Sequence, residues 1–207
     1  GPVLWCAGEH FQYTRDIAWL SRVTPALVRS AEYLLKWRDR NKTEAMRRRG
    51  CYGLLDGKIA DVDEYLHACM LNAEAYLGLA RMAEVLIHTV PEFARKLTRE
   101  VADFRDDIIA ALEAGVARAP VVPFADGSWG PTIPGNLERT GADGFHAEPG
   151  NFFTHGAIAS FGVTAGANYF IIGETVAPNS RLAELILKLN QYPVTHENAA
   201  RSQPYYS

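Results

Sequence analysis

The chain has 207 residues and a mass of 22.9 kDa, enough for one domain, or at most two, with a sizeable apolar core. Its net charge of −3 and pI near 6.1 argue against nucleic acid and anionic membranes as partners, and no apolar run reaches the roughly 18 residues of a membrane span. Cys6, Cys51 and Cys69 are an odd number without ligand spacing, so neither a disulfide framework nor a structural metal is expected.

Val3–Tyr13 (VLWCAGEHFQY) is mostly apolar with a helical pattern, and Cys6 reads as a small core residue within it. Asp16 caps the next segment, a short turn over 16–22 and then a helix from about Thr24 to 39, because Pro25 suits a first turn. In that helix Leu27, Ala31, Leu34 and Leu35 face one side, with Arg29, Glu32, Lys36 and Arg38 on the other. A loop spans about 40–60; its Arg47-Arg48-Arg49 run reads as a solvated face. A long helix over 61–87 is apolar on nearly every side, with Cys69 as a core residue, and therefore belongs to an inner layer. After the break at 88–91, Pro91 opens an amphipathic helix over 91–117, whose Phe93, Leu97, Val101, Phe104, Ile108 and Leu112 form the apolar stripe. Residues 118–150 form a second long loop, rich in Pro and Gly, in which Phe124, Trp129 and Phe145 argue against disorder. The segment 151–172 contains no Asp, Glu, Lys or Arg and reads as a third inner helix; 180–190 is again amphipathic.

The fold class is therefore all-α, a single domain or fragment of helical hairpins in two layers. Inner helices at 3–13, 61–87 and 151–172 alternate with outer helices at 16–39, 91–117 and 180–190. Inner-to-outer joins are short, and outer-to-inner joins (40–60 and 118–150) are long. In a ring of hairpins the long joins gather at the N-terminal ends of the inner helices, and function concentrates on loops held by a rigid scaffold.

Trp5-Cys-Ala-Gly-Glu-His-Phe-Gln-Tyr-Thr-Arg-Asp16, followed by Trp19-Leu20, Pro25 and a Glu-Tyr-Leu helix, resembles a segment of the six-hairpin (α/α)6 glycosidases. Tyr52-Gly-Leu-Leu55, the acidic Asp61–Tyr65, Asn72, Tyr76 and Gly78-Leu79 are similar to the succeeding loop and inner helix of that family. The resemblance covers about Trp5–Leu86. It departs from the family at Arg15, which replaces the usual glycine of a Thr-Gly-Asp turn, and in showing three hairpins where the toroid has six. With Gly1-Pro2 rather than Met at its start, the chain reads as a piece of a longer or processed protein, either cytoplasmic or secreted with its leader removed.

The resemblance implies hydrolysis of a glycosidic bond by two carboxylates, in a funnel at the N-terminal ends of the inner helices, on a glycan or oligosaccharide and without a cofactor. Asp61 and Glu64 fit a capping box, which leaves Asp63 as the carboxylate without a capping duty and the first catalytic candidate. Glu148, just before the third inner helix, is the second. Trp129 offers a broad face for a sugar ring, and Tyr65, His146 and Glu64 complete the substrate-binding candidates. Glu9 either faces the central cavity or pairs with a neighbouring helix. His67 and His155 read as core histidines, and Asp103–Asp107 as a solvated face. Half a ring would expose apolar helix flanks, so self-association or a second chain completing the ring is expected. The alternatives are a non-catalytic α-hairpin scaffold binding a protein or glycan, and a toroidal sugar lyase or isomerase.

Overall fold

The computed structural model describes residues 1–57, 67–119, 121–123, 127–131, 133, 135–137 and 166–195. Among them the fold is all-α: seven α-helices, one 3₁₀ turn and a two-stranded antiparallel sheet. None of these helices is long and apolar enough to cross a membrane.

Helix α1 (Pro2–Thr14) closes at Arg15, whose φ of 54° lies in the left-handed region and whose N–H returns to the Phe11 carbonyl at 2.8 Å. Glycine is the usual residue for such a closure, so Arg15 carries the strain of a conformation that L side chains rarely adopt. Asp16 then caps α2 (Ile17–Arg40), accepting the Trp19 N–H at 2.8 Å. The expected break before Thr24 does not occur, and α2 runs straight through Pro25. Ser21 and Pro25 are both exposed, so the Ser21 carbonyl that loses its partner faces water. The adjoining Thr24 hydroxyl bonds the Leu20 carbonyl (2.8 Å) and Thr89 (2.9 Å), tying this turn to the next hairpin.

The first long loop contains a short helix, α3 (Glu44–Arg49), capped by Thr43. Its last turn is the exposed Arg47-Arg48-Arg49 run, in which Arg47 and Arg48 lean on Glu44. Helix α4 (Cys69–Val85) begins eight residues later than the hydrophobic pattern suggests. Ala68 is extended (φ −69°, ψ 144°) and pairs antiparallel with Asn136, so backbone pairing displaces the helix there. A 3₁₀ turn (Leu86–His88) leads to α5 (Pro91–Arg118). Strands β1 (Val121–Pro123) and β2 (Trp129–Pro131) pair within the second long loop. Of the third inner segment, α6 (Asn168–Ile172) is described, followed by α7 (Arg181–Thr195).

Helix α4 is the hub, packing against α1, α2, α5 and α6. It buries residues around its circumference, including Asn72, Ala73, Ala75, Gly78, Leu79 and Met82. Gly8 lies so close to it that a Cβ there would sit 2.1 Å from the Arg81 side chain. Gly1 against Glu74 and Gly8 against Arg81 make α1 and α4 parallel neighbours. In the outer layer, Thr24 beside Thr89 and Arg38 beside Asp107 make α2 and α5 parallel in turn. The turns closing the two hairpins are adjacent, with the Phe11 and His88 rings 5.3 Å apart.

The third hairpin does not repeat that offset. Gly173 abuts Ala73, and Arg105 Nε donates to the Thr175 carbonyl at 2.8 Å. Its turn thus lies about 13 residues back along α4, on the order of 20 Å from the other two. Helix α1 also departs from expectation. It buries Leu4, Gly8 and Phe11, but Val3 (77 %) and Tyr13 (86 %) are exposed, and Cys6 lies at the surface.

Arg38, expected on the polar face of α2, is 1 % exposed. It donates to Asp107 and, at 3.5 Å, to Glu100, with its guanidinium 5.0 Å over the Phe104 ring. Asp107 therefore turns inward from a segment expected to be solvated. Burial pushes its carboxyl above the usual range despite the opposing charge of Arg38. Gly53 crosses this pair at φ 67°, where a Cβ would lie 2.3 Å from Asp107 Oδ2. Gly53→Ala should therefore lower stability by about 1–3 kcal/mol from backbone strain alone, with the steric clash adding to it. An unchanged Tm in thermal denaturation would contradict this packing.

Candidate functional site

The two long loops meet at the N-terminal end of α4. The first is held by side-chain amides. Asn41 Nδ2 donates to the Leu54 carbonyl (2.7 Å) and to Asp56 Oδ1 (2.8 Å), and Trp37 Nε1 reaches the same oxygen at 3.1 Å. From inside α4, the fully buried Asn72 accepts the Leu55 N–H at 2.8 Å. It donates back to the Leu55 carbonyl at 3.0 Å and to the Ala68 carbonyl at 2.9 Å. One side chain thus pairs with Leu55 as a neighbouring strand would, and also ties down the residue preceding α4.

The second loop arrives by backbone pairing. Cys69 N–H donates to the Gly135 carbonyl (2.9 Å), and Leu137 N–H to the His67 carbonyl (3.2 Å). Arg118, at the end of α5, donates to the Leu137 carbonyl at 3.3 Å. Ile133 and Leu137 are buried beneath this crossing, alongside His67 and Asn136.

Asp56 is the carboxylate that the described residues hold most tightly here. Burial alone would raise its pKa, but the hydrogen bonds from Asn41 and Trp37, its own backbone N–H and the nearby charge of His67 outweigh that. Its carboxyl is held below the usual range and stays ionised. It anchors the loop and is unsuited to act as a proton donor near neutrality.

Asp63, Glu64, Tyr65, His146 and Glu148 lie outside the described residues, as do Asp61 and His155. Helix α4 starts at Cys69 and is preceded by extended backbone, so the capping box assigned to Asp61 and Glu64 does not cap this helix. Trp129 is 70 % exposed on β2, so its ring is open to solvent. Glu9 pairs with a neighbouring helix, 2.7 Å from Arg81 on α4, and His10 leans on Trp19. His67 is a core histidine, 3 % exposed. Sequence reasoning misses Asn41, Asp56 and the role of Asn72. The available signal is Asn72 itself, a lone amide in an apolar helix, which burial obliges to find partners.

The chain matches no family model, no curated protein and no solved structure.

Asn72→Ala should cost about 2–6 kcal/mol, since it strands the buried N–H and carbonyl of Leu55 at about 1–3 kcal/mol each, while the Ala68 carbonyl keeps the backbone N–H of residue 72. Chemical denaturation would read the loss, and a change under about 0.5 kcal/mol would contradict it. Asp56 carries a pH signature as well. Because its folded pKa is depressed, its stabilisation is complete above the unfolded value of 3.8 and is lost as pH falls through the folded value. The stability difference between wild type and Asp56→Asn should therefore be largest near neutrality and shrink below about pH 4. A difference independent of pH would count against this assignment.

Proposed function

We propose that the chain is part of a carbohydrate-active hydrolase of the six-hairpin kind, cleaving a glycosidic bond over the N-terminal end of α4. The observation that carries this reading is the convergence of both long loops on that end. The first loop leads from Gly57 into the stretch holding Asp63, and the second leads from Leu137 towards Glu148 in sequence. The parallel pair α1 and α4, backed by the parallel pair α2 and α5, supports it further, because a hairpin ring is built from that unit.

In this reading Asp63 and Glu148 divide the acid and base roles. One protonates the departing glycosidic oxygen; the other draws a proton from water or attacks the sugar carbon. Glu64, Tyr65 and His146 bind sugar hydroxyls, and Trp129 lends its exposed ring to a sugar face. The exposure of Trp5 and Tyr13 on one side of α1 supports association with another copy or with a chain that continues the ring.

Assayed against a panel of glycans, Asp63→Asn and Glu148→Gln should each lower kcat by at least about 100-fold, the scale of a lost acid or base, with Tm unchanged. Full turnover in both variants would refute the assignment of the pair. Retention of a protein ligand without turnover of any glycan would favour the scaffold reading.

A further inference from the structure

Helix α2 carries a feature that hairpin packing does not use. Arg22, Ala26, Arg29, Tyr33, Lys36 and Arg40 follow steps of four, three, four, three and four residues, and all six are exposed. At about 100° per residue they fall within about 40° of one line along the helix, a line some 27 Å long. Neither acid of this region shares it: Glu32 and Asp39 lie to one side. None of the four cations forms an ion pair with a described residue, although Arg40 sits 5.8 Å over the Trp37 ring. This contrasts with Arg47 and Arg48, which lean on Glu44, and with Arg95, which pairs with Glu92. The chain as a whole is acidic, with a net charge of −3, so the stripe is a local reversal of sign.

Tyr33 stands at the middle of the stripe, 61 % exposed, with its ring centroid 5.8 Å from that of Trp37 in an edge-on arrangement. A shallow groove between α1 and α2, lined in part by Val3, Ser30 and Leu34, runs beside Tyr33 and Arg29. An aromatic face flanked by well-spaced cations and a hydroxyl matches a polymer of sugar rings bearing intermittent negative charge.

The spacing favours one class of polyanion. Arg22, Arg29 and Lys36 recur every seven residues, about 10 Å apart. A strand of duplex nucleic acid carries a charge about every 3.4 Å, far denser than this row. An acidic polysaccharide with one carboxylate per disaccharide spaces its charges comparably to the row.

We propose that the outward face of α2 is a binding site for an acidic polysaccharide, with Arg22, Arg29, Lys36 and Arg40 contacting its anionic groups and Tyr33 stacking on a sugar ring. The class of polymer rests on the proposed carbohydrate activity. The site lies on the outer layer, apart from the loops at the N-terminal end of α4, and acts by holding polymer near the protein rather than by cleaving it.

Affinity electrophoresis of the full chain tests this, in gels containing hyaluronate or neutral dextran. Hyaluronate should retard the protein and dextran should not, with retardation weakening as salt rises. The variant Arg22→Ser/Arg29→Ser/Lys36→Ser should lose about tenfold or more in affinity, the scale of three lost charge contacts. Tyr33→Ala should lose a smaller share, and Arg47→Ser/Arg48→Ser/Arg49→Ser, which removes equal charge elsewhere, should bind as wild type. Circular dichroism confirms that each variant is folded, as expected for exposed positions. Equal loss in the two triple variants, no retardation by hyaluronate, or tighter binding of single-stranded DNA than of hyaluronate at the same salt would each overturn the site. The hydrolase reading fails separately. Asp63→Asn should keep its retardation, and a chain inactive on every glycan still reports on binding.

Discussion

The structure depends on one buried amide. Asn72 lies within the most enclosed helix of the molecule, and α4 reaches that position only because every polar atom the side chain uses has a partner on the loop or the helix entry. An unpaired amide there would cost about 1–3 kcal/mol per stranded group. Paired, it converts a hydrophobic stave into a fixed attachment point for residues 51–57. The Ala68–Asn136 bridge does the same for the second loop by backbone pairing alone. The entry of α4 is thus a junction that gives the two long loops a common address.

The outer layer contributes a second constraint. Arg38 is buried under the first loop, among Glu100, Asp107 and Phe104. A buried ion pair is weak evidence for stability, because desolvation offsets most of the Coulomb gain. Its value here is positional. It fixes α2 against α5 and sets a polar floor that Gly53 crosses at close range. Asn41 and Trp37, from the same end of α2, then hold Asp56. The final turns of α2 therefore serve the loop as well as the core.

Much of this is legible in the residues and some is not. The helix class follows from apolar periodicity, and α5 runs within a residue of its expected span because Pro91 and an unbroken stripe mark it. Asp16 is recognisable as a cap because its neighbours leave it no other local role. The start of α4 is not, since the pattern over 61–68 suits a helix and nothing local announces a backbone partner 68 residues away at Asn136. Arg38 misleads through its charge. Helical phase puts it on the buried stripe, seven residues after Ala31 and three after Leu35, and the acids of α5 supply the partners that a cation needs there. Pro25 carries less weight on an exposed face than its usual place in a first turn suggests. Of the candidate site, the end of the molecule is legible from loop lengths. The residues that build that end are not, because Asn41, Asp56 and Asn72 act through contacts that cross between elements.

Both long loops are pinned to the entry of α4, and native-state hydrogen exchange tests that attachment. The amides of Leu55, Cys69 and Leu137 are each held by the junction, through Asn72, Gly135 and His67 respectively. They should exchange as slowly as those of Leu79 and Met82 in the middle of α4, opening only with the domain. Rapid exchange at Leu55 and Leu137 while Leu79 and Met82 stay protected would show that the loops open independently of α4, and would contradict the account.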